Sequence, residues 1–229
     1  PIRNQDGSSQ CVCMTLATEM GIVFKQKYGS FIDFSSSFPY QQRGGTYLGC
    51  TSSDLYSIFP KLGNIFESIM PSQNIGETEA MAIERKNYYS DLAKPFMIKR
   101  VELPVDFETV ASTIQVTGKG VMLWFRFSIG EWTDIPQVLP VPVTSGHSVT
   151  AVDFLLKDGK KYLVIQDSWG LAYAMNGYRL ISEEYFTARC FLASYLKTFQ
   201  TLTVNDDTPK PIYDGSVKSL QDILIYEGF

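Results

Sequence analysis

The sequence predicts an α+β protein, mainly helical in its first half and antiparallel β in its second, built as one large domain or two closely packed lobes. Three observations predict it. Apolar residues in the first half recur at helical spacing. The second half holds short runs of Val, Leu, Tyr and Phe bounded by glycines or charged turns. An Asp158-Gly159 turn joins two of these runs as a hairpin. With 229 residues, 45% of them hydrophobic and 14% aromatic, the chain can build a sizeable core.

From Cys11 to about Lys27, the residues Met14, Leu16, Met20, Ile22 and Val23 fit a largely buried helix with Cys11 in its first turn, and Gly29 is its stop signal. Thr51, Ser52, Ser53 and Asp54 are candidate N-caps for a second helix through Leu55, Ile58 and Leu62 that ends at Gly63, with Pro60 as a kink. Residues 78–92 and 106–117 read as further helices. The latter starts at Asp106 and is expected to carry Val110, Ile114 and Val116 towards the core. Strands are expected over 120–127, 146–156, 161–167 and 177–181. The hairpin turn at Lys157-Asp158-Gly159-Lys160 lays the strand after His147 antiparallel to the one ending near Asp167, which makes those two residues neighbours. The proline-rich stretch 136–142 reads as a surface loop leading into the histidine strand.

The organisation expected is a domain over 1–200, a linker over 201–213 and a terminal helix over 214–229, in which Val217, Leu220 and Leu224 share one face. Residues 1–20 lack the basic start and apolar run of a signal peptide, and because the chain opens at Pro1 a preceding segment is expected.

A net charge of -4 gives no sign of the basic surface that nucleic acid or anionic lipid favours, so neither is an expected partner. No apolar stretch approaches the roughly 20 residues needed to cross a bilayer. A single histidine excludes a His-rich metal site, and the four cysteines lack the paired spacing of structural zinc. If Cys11 stays a free thiol, at most one internal disulfide can form among Cys13, Cys50 and Cys190.

A cysteine becomes a good nucleophile at neutral pH when its thiol pKa is lowered, which a helix N-terminus and an adjacent imidazolium both do. Cys11 has the first by position, and His147, at the start of a strand, can supply the second. Taken alone, Cys11 also fits a small buried hydrophobe and His147 a structural histidine.

The flanking residues decide between these readings, because the sequence resembles the papain family of cysteine peptidases at several places. Pro1-Ile2-Arg3-Asn4-Gln5, with Cys11 six residues after Gln5, is similar to the family segment in which a glutamine precedes the nucleophile. Gly146-His147-Ser148-Val149-Thr150-Ala151-Val152 resembles its histidine strand, and Asp167-Ser168-Trp169-Gly170 its Asn-Ser-Trp-Gly turn. Gly44-Gly45 resembles the glycine strand that pairs with the backbone of an extended substrate.

The resemblance implies a papain-like two-lobe fold with the active site between the lobes, no required metal or cofactor, and a polypeptide substrate. It gives Cys11 the role of nucleophile, His147 that of general base, Asp167 that of orienting residue and Gln5 that of oxyanion donor. The matching family tryptophan, here Trp169, shields the bond between histidine and its orienting residue.

Departures from the family are also visible. Asp167 stands for asparagine, and its charge is expected to favour the protonated imidazole. Ser8 replaces a disulfide-forming cysteine, and Val12 replaces the aromatic residue after the nucleophile. Cys13, about 200° round the helix from Cys11, is expected to pack in the core. The 214–229 pattern resembles the start of a peptidoglycan-binding module. That adds peptidoglycan as an expected partner, a secreted or cell-envelope location, and hydrolysis of cell-wall peptides as an alternative activity. A catalytically inactive papain-fold binding protein is the other alternative.

Overall fold

A computed structural model describes residues 1–83, 87–128 and 130–199. The expected linker over 201–213 and terminal helix over 214–229 lie outside the described residues.

The leading helix α1 (Cys11–Tyr28) ends at Gly29, whose φ of 84° is the left-handed cap that glycine adopts without strain. Most of α1 is buried around its whole circumference, which is why its apolar residues form no narrow stripe. It is followed by the short α2 (Ser37–Gln41). The helix expected through Leu62 begins as a π-helical turn over Asp54–Ile58 and continues as α3 (Phe59–Leu62). Pro60 sits in the first turn of α3, where its missing N–H is tolerated, so the hydrogen-bond ladder changes there rather than breaking the chain's path. Gly63 must be glycine: its φ is 72°, and a Cβ would lie 1.9 Å from the carbonyl oxygen of Ala93.

The expected helix 78–92 is two helices, α4 (Glu77–Ala82) and α5 (Asn87–Ala93), because Ile83 takes an extended conformation. After α5 comes a 3₁₀ turn over Lys94–Phe96 and then a strand that was not anticipated, β1 (Ile98–Leu103). Helix α6 (Phe107–Thr117) is capped by Asp106, whose side chain accepts from the Thr109 N–H. Val110 and Ile114 face the core as expected. Val116 does not: it is 86% exposed, because two residues on from Ile114 is more than half a turn round the helix.

The strands β2 (Val121–Phe127), β3 (Ser145–Lys157), β4 (Lys160–Gln166) and β5 (Tyr178–Ser182) match the expected runs closely. Helix α7 (Glu183–Arg189) and strand β6 (Cys190–Phe199) complete the fold and were not anticipated. All six strands form one antiparallel sheet in the order β1-β6-β2-β3-β4-β5. Asp158 and Gly159 both have positive φ, the geometry of a tight hairpin turn between β3 and β4.

Two hydrophobic cores share this sheet. Met122 and Trp124 of β2 point to the core around α1, with Phe24, Phe34, Phe96 and Phe199. Val121, Leu123 and Phe125 point the other way, to the core under α6 and α7. Strand β2 is therefore apolar at successive positions because both of its faces are covered, following the two-residue alternation of a strand.

The two lobes are joined by polar contacts of α1. The Ser148 hydroxyl of β3 donates to Thr15 Oγ1 at 3.2 Å, and Thr15 in turn donates to the carbonyl oxygen of Cys11 at 2.9 Å. Deeper in, the buried Glu19 accepts from the Met122 N–H and pairs with Arg100. Among the described residues no helix is long and apolar enough to cross a membrane.

Candidate active site

Helix α1 begins at Cys11 with no side-chain cap. The preceding Gln10 is turned inward, its Oε1 accepting from the hydroxyls of Ser36 and Ser37, so the N–H dipoles of the first turn are left to act on the cysteine. Cys11 is half-buried and opens on a cleft of about 660 Å³. The cleft runs between Leu48 and Gly49 on the helical side and Trp132 and Thr133 on the β side, with Gln5, His147 and Trp169 around the cysteine.

The sheet register sets the histidine. His147 pairs with Phe125 near the start of β3, Thr150 pairs with Gln166, and Asp167 follows at the end of β4. Asp167 Oδ1 then lies 2.7 Å from His147 Nε2, both side chains being buried. With Nε2 engaged, Nδ1 is the ring nitrogen left for Cys11.

Burial alone would push the Cys11 thiol up, but the hydrogen bond and charge of His147, with backbone hydrogen bonds at Val12 and Ser148, leave it below its ordinary value. Burial likewise works against a charged His147. The Asp167 carboxylate and the Cys11 thiolate outweigh it and raise the imidazole to about 9. Asp167 is itself disfavoured by burial, yet His147 and Arg179 hold it well below the usual carboxylate range. A lowered thiol and a raised imidazole both favour the charged forms, thiolate and imidazolium, and the two titrate as a unit.

Gln5 is built into the same unit. Its backbone N–H donates to the Ser168 carbonyl at 2.9 Å, and the Ser168 hydroxyl donates to Gln5 Oε1 at 2.7 Å. This fixes which end of the amide is nitrogen. Nε2 donates one hydrogen to the Ser8 carbonyl, and its second hydrogen remains for an oxyanion in the cleft. Gly44 and Gly45 do not line the cleft. The Gly44 N–H is taken by Asp54 Oδ1 at 2.8 Å, and Gly49, four residues past Gly45, stands at the wall instead.

No family model matches the sequence, and no curated protein is similar to it. Solved structures are. Xylellain, a cysteine protease from Xylella fastidiosa, is 19% identical with a TM-score of 0.74 over 87% of this chain and 83% of its own. The bromelain protease from Ananas comosus is 16% identical with a TM-score of 0.67 over 87% and 93%. Digestive procathepsin L 3 of Tenebrio molitor larval midgut is 18% identical with a TM-score of 0.65 over 85% and 65%. The fold is that of the papain-like cysteine proteases. The α+β, two-lobe expectation is thereby met.

Within this papain-like fold, two residues that the sequence did not single out surround the Asp167 carboxylate. Arg179 Nε donates to Asp167 Oδ2 at 2.7 Å, and Trp132 Nε1 donates to the same oxygen at 3.0 Å. The guanidinium lies between the rings of Trp132 and Trp169, at 5.4 and 5.2 Å from their centroids. Trp169 also covers His147, with 5.2 Å between ring centroids, where shielding was expected of it.

A signal for Arg179 exists in the sequence: an arginine inside an apolar strand, in a chain that carries aspartate where the papain-like turn has asparagine. Trp132 gave none, since it lies in an irregular loop. That loop is held by the buried Glu131, which accepts from the Ser128 and Leu139 N–H groups and from Arg189. No group of three or more His, Cys, Asp or Glu suited to a metal ion occurs among the described residues.

Proposed function

We propose that the chain is a cysteine endopeptidase that hydrolyses peptide bonds through a Cys11 thiolate and an acyl-enzyme. The observation that carries this reading is His147 held between Cys11 and Asp167, with Nε2 fixed by the carboxylate and the ring raised to about 9. At neutral pH the imidazolium then keeps its partner sulfur ionised and has a proton ready for the leaving group.

An extended polypeptide lies in the cleft between the Leu48–Gly49 wall and Trp132. The Cys11 sulfur attacks the carbonyl carbon, and the negative oxygen that develops is met by the Cys11 N–H and the free hydrogen of Gln5 Nε2. His147 passes its proton to the departing amine, leaving a thioester. The neutral ring next takes a proton from water, which attacks the thioester and releases the acid. The thiolate–imidazolium pair is restored. Asp167 keeps the ring's tautomer and plane through both halves.

Mass spectrometry after treatment with an epoxide inhibitor of papain-like enzymes tests the reading. The expected result is one adduct on Cys11 in folded, reduced protein, together with cleavage of a denatured protein substrate. No adduct and no cleavage would favour a papain-fold binding protein. Release of soluble fragments from purified peptidoglycan, without cleavage of the denatured protein, would assign the chemistry to cell-wall peptides.

A further inference from the structure

Behind the nucleophile, two other thiols face each other. Cys13 lies on α1 two residues past Cys11 and is sealed from solvent, and its Sγ is 3.5 Å from Sγ of the half-buried Cys50. A disulfide bond is about 2.05 Å long, so the two sulfurs have to approach by about 1.5 Å to form one. Cys190 is placed elsewhere, packed against the core under α6 and α7 with its thiol directed at the Leu192 carbonyl.

The chain around Cys50 is already fastened. Arg43 stacks on the Tyr40 ring and donates to the Tyr47 carbonyl from Nε at 3.0 Å and Nη2 at 2.9 Å. The buried Asp54 accepts from the N–H groups of Gly44 and Thr51 and from the Tyr47 hydroxyl. Between these anchors the segment carries Leu48 and Gly49 into the cleft wall, and Cys50 comes directly after them.

We propose that Cys13 and Cys50 form a disulfide that ties the Leu48–Gly49 wall of the cleft to the catalytic helix, while Cys11 remains a free thiol. The oxidant is a small-molecule disulfide such as oxidised glutathione. Cys50, the more exposed sulfur, attacks it, loses its proton and expels one small thiol, giving a mixed disulfide. Cys13 then loses its proton and attacks the Cys50 sulfur, expelling the second small thiol. Two protein thiols give up two electrons and two protons, and the oxidant takes both as two thiols.

Burial, followed by the neighbouring Cys50, raises the Cys13 thiol well above its ordinary value, which slows the second step. The same burial protects the bond once formed, because a reductant reaches it only from the Cys50 side. The closed loop spans residues 13–50 and so constrains the unfolded chain. The bond also fixes the distance between Gly49 and α1, and with it the width of the cleft on its helical side.

The experiment equilibrates the full chain with oxidised glutathione, alkylates remaining thiols under denaturing conditions, and maps the products by peptide fragmentation. The expected result is a bridge between Cys13 and Cys50, with Cys190 alkylated and Cys11 either alkylated or carrying one glutathione. The oxidised protein should melt roughly 5–10 °C above the protein reduced with dithiothreitol. Cys50→Ser, at the more exposed position, should abolish that difference, and Cys190→Ser should keep it. Alkylation of both Cys13 and Cys50 after oxidation, or a bridge through Cys11 or Cys190, would overturn the proposal. The pairing stands apart from the peptidase reading: a bridged protein whose Cys11 takes no epoxide refutes only the latter.

Discussion

Arg179 Nε lies 2.7 Å from Asp167 Oδ2, on the carboxylate oxygen opposite the one that holds His147. Both side chains are almost fully buried. The papain-like turn here carries a charge in place of a neutral amide, and the chain supplies the opposite charge from the next strand, β5. In the proposed charged form of the site, the Cys11 thiolate, His147 imidazolium, Asp167 carboxylate and Arg179 guanidinium sum to zero, which limits the cost of burying the last three.

Replacing Arg179 with methionine removes that balance. A buried carboxylate stripped of its partner is expected to cost about 3–5 kcal/mol of folding stability, measured by urea denaturation. The unscreened carboxylate should also hold the His147 proton harder and move the alkaline limb of the pH–rate profile upward. Arg179→Lys should recover part of both effects. A loss below about 1 kcal/mol with an unmoved limb would mean that Arg179 does not act on Asp167 in this way.

Asp167→Asn should act in the opposite sense on the histidine. The carboxylate is the principal group raising His147 to about 9. An amide accepts the same N–H without the charge, so activity persists while the alkaline limb moves down. An unchanged limb would contradict the role given to the carboxylate.

For Gln5→Ala the expected loss is about 10²–10³ in kcat with little change in KM, since the lost donor acts on charge that develops only in the transition state. Ser168→Ala leaves the Gln5 amide held only through the Ser8 carbonyl and should cost roughly fivefold in kcat, the equivalent of about 1 kcal/mol of hydrogen bond. Equal kcat in Ser168→Ala and the parent protein would show that the bond to the Ser8 carbonyl orients the Gln5 amide without Ser168.

Stability should depend on pH with a definite sign. His147 titrates at about 9 in the folded chain against an ordinary value of 6.5, so its contribution is complete below 6.5 and is lost as pH rises through 9. Asp167 is shifted the other way, and its contribution is present above its ordinary 3.8 and is lost as pH falls below that. Cys11→Ala is the variant to measure, because the thiol's own titration opposes that of the histidine. Without the sulfur the imidazole is still raised by Asp167, so the urea midpoint should fall as pH rises above 6.5. A midpoint that rises over the upper range would refute the raised histidine.

Much of the β lobe was legible because its signals are local. The Asp158-Gly159 turn and the runs of β2 to β5 depend on neighbours within a few residues. Strands β1 and β6 were missed, and β1 obtains its place from β6: Ile98 pairs with Phe199 across about half of the described chain. The break at Ile83 was equally silent, since the sequence from 78 to 92 holds no proline or glycine to announce it.

By itself the sequence determined which residues could do chemistry here: a thiol at a helix start, one imidazole at a strand start, a glutamine at a set distance before the thiol, and an acidic turn after the hairpin. Spacing along one chain segment carries that information. Tertiary structure alone decided that Arg179 and Trp132 converge on Asp167, that Gly49 rather than Gly44 or Gly45 reaches the cleft, and that Cys13 faces Cys50. Each of these depends on segments far apart in sequence being brought to within bonding distance, and the packing of the two cores against a shared sheet is what brings them there.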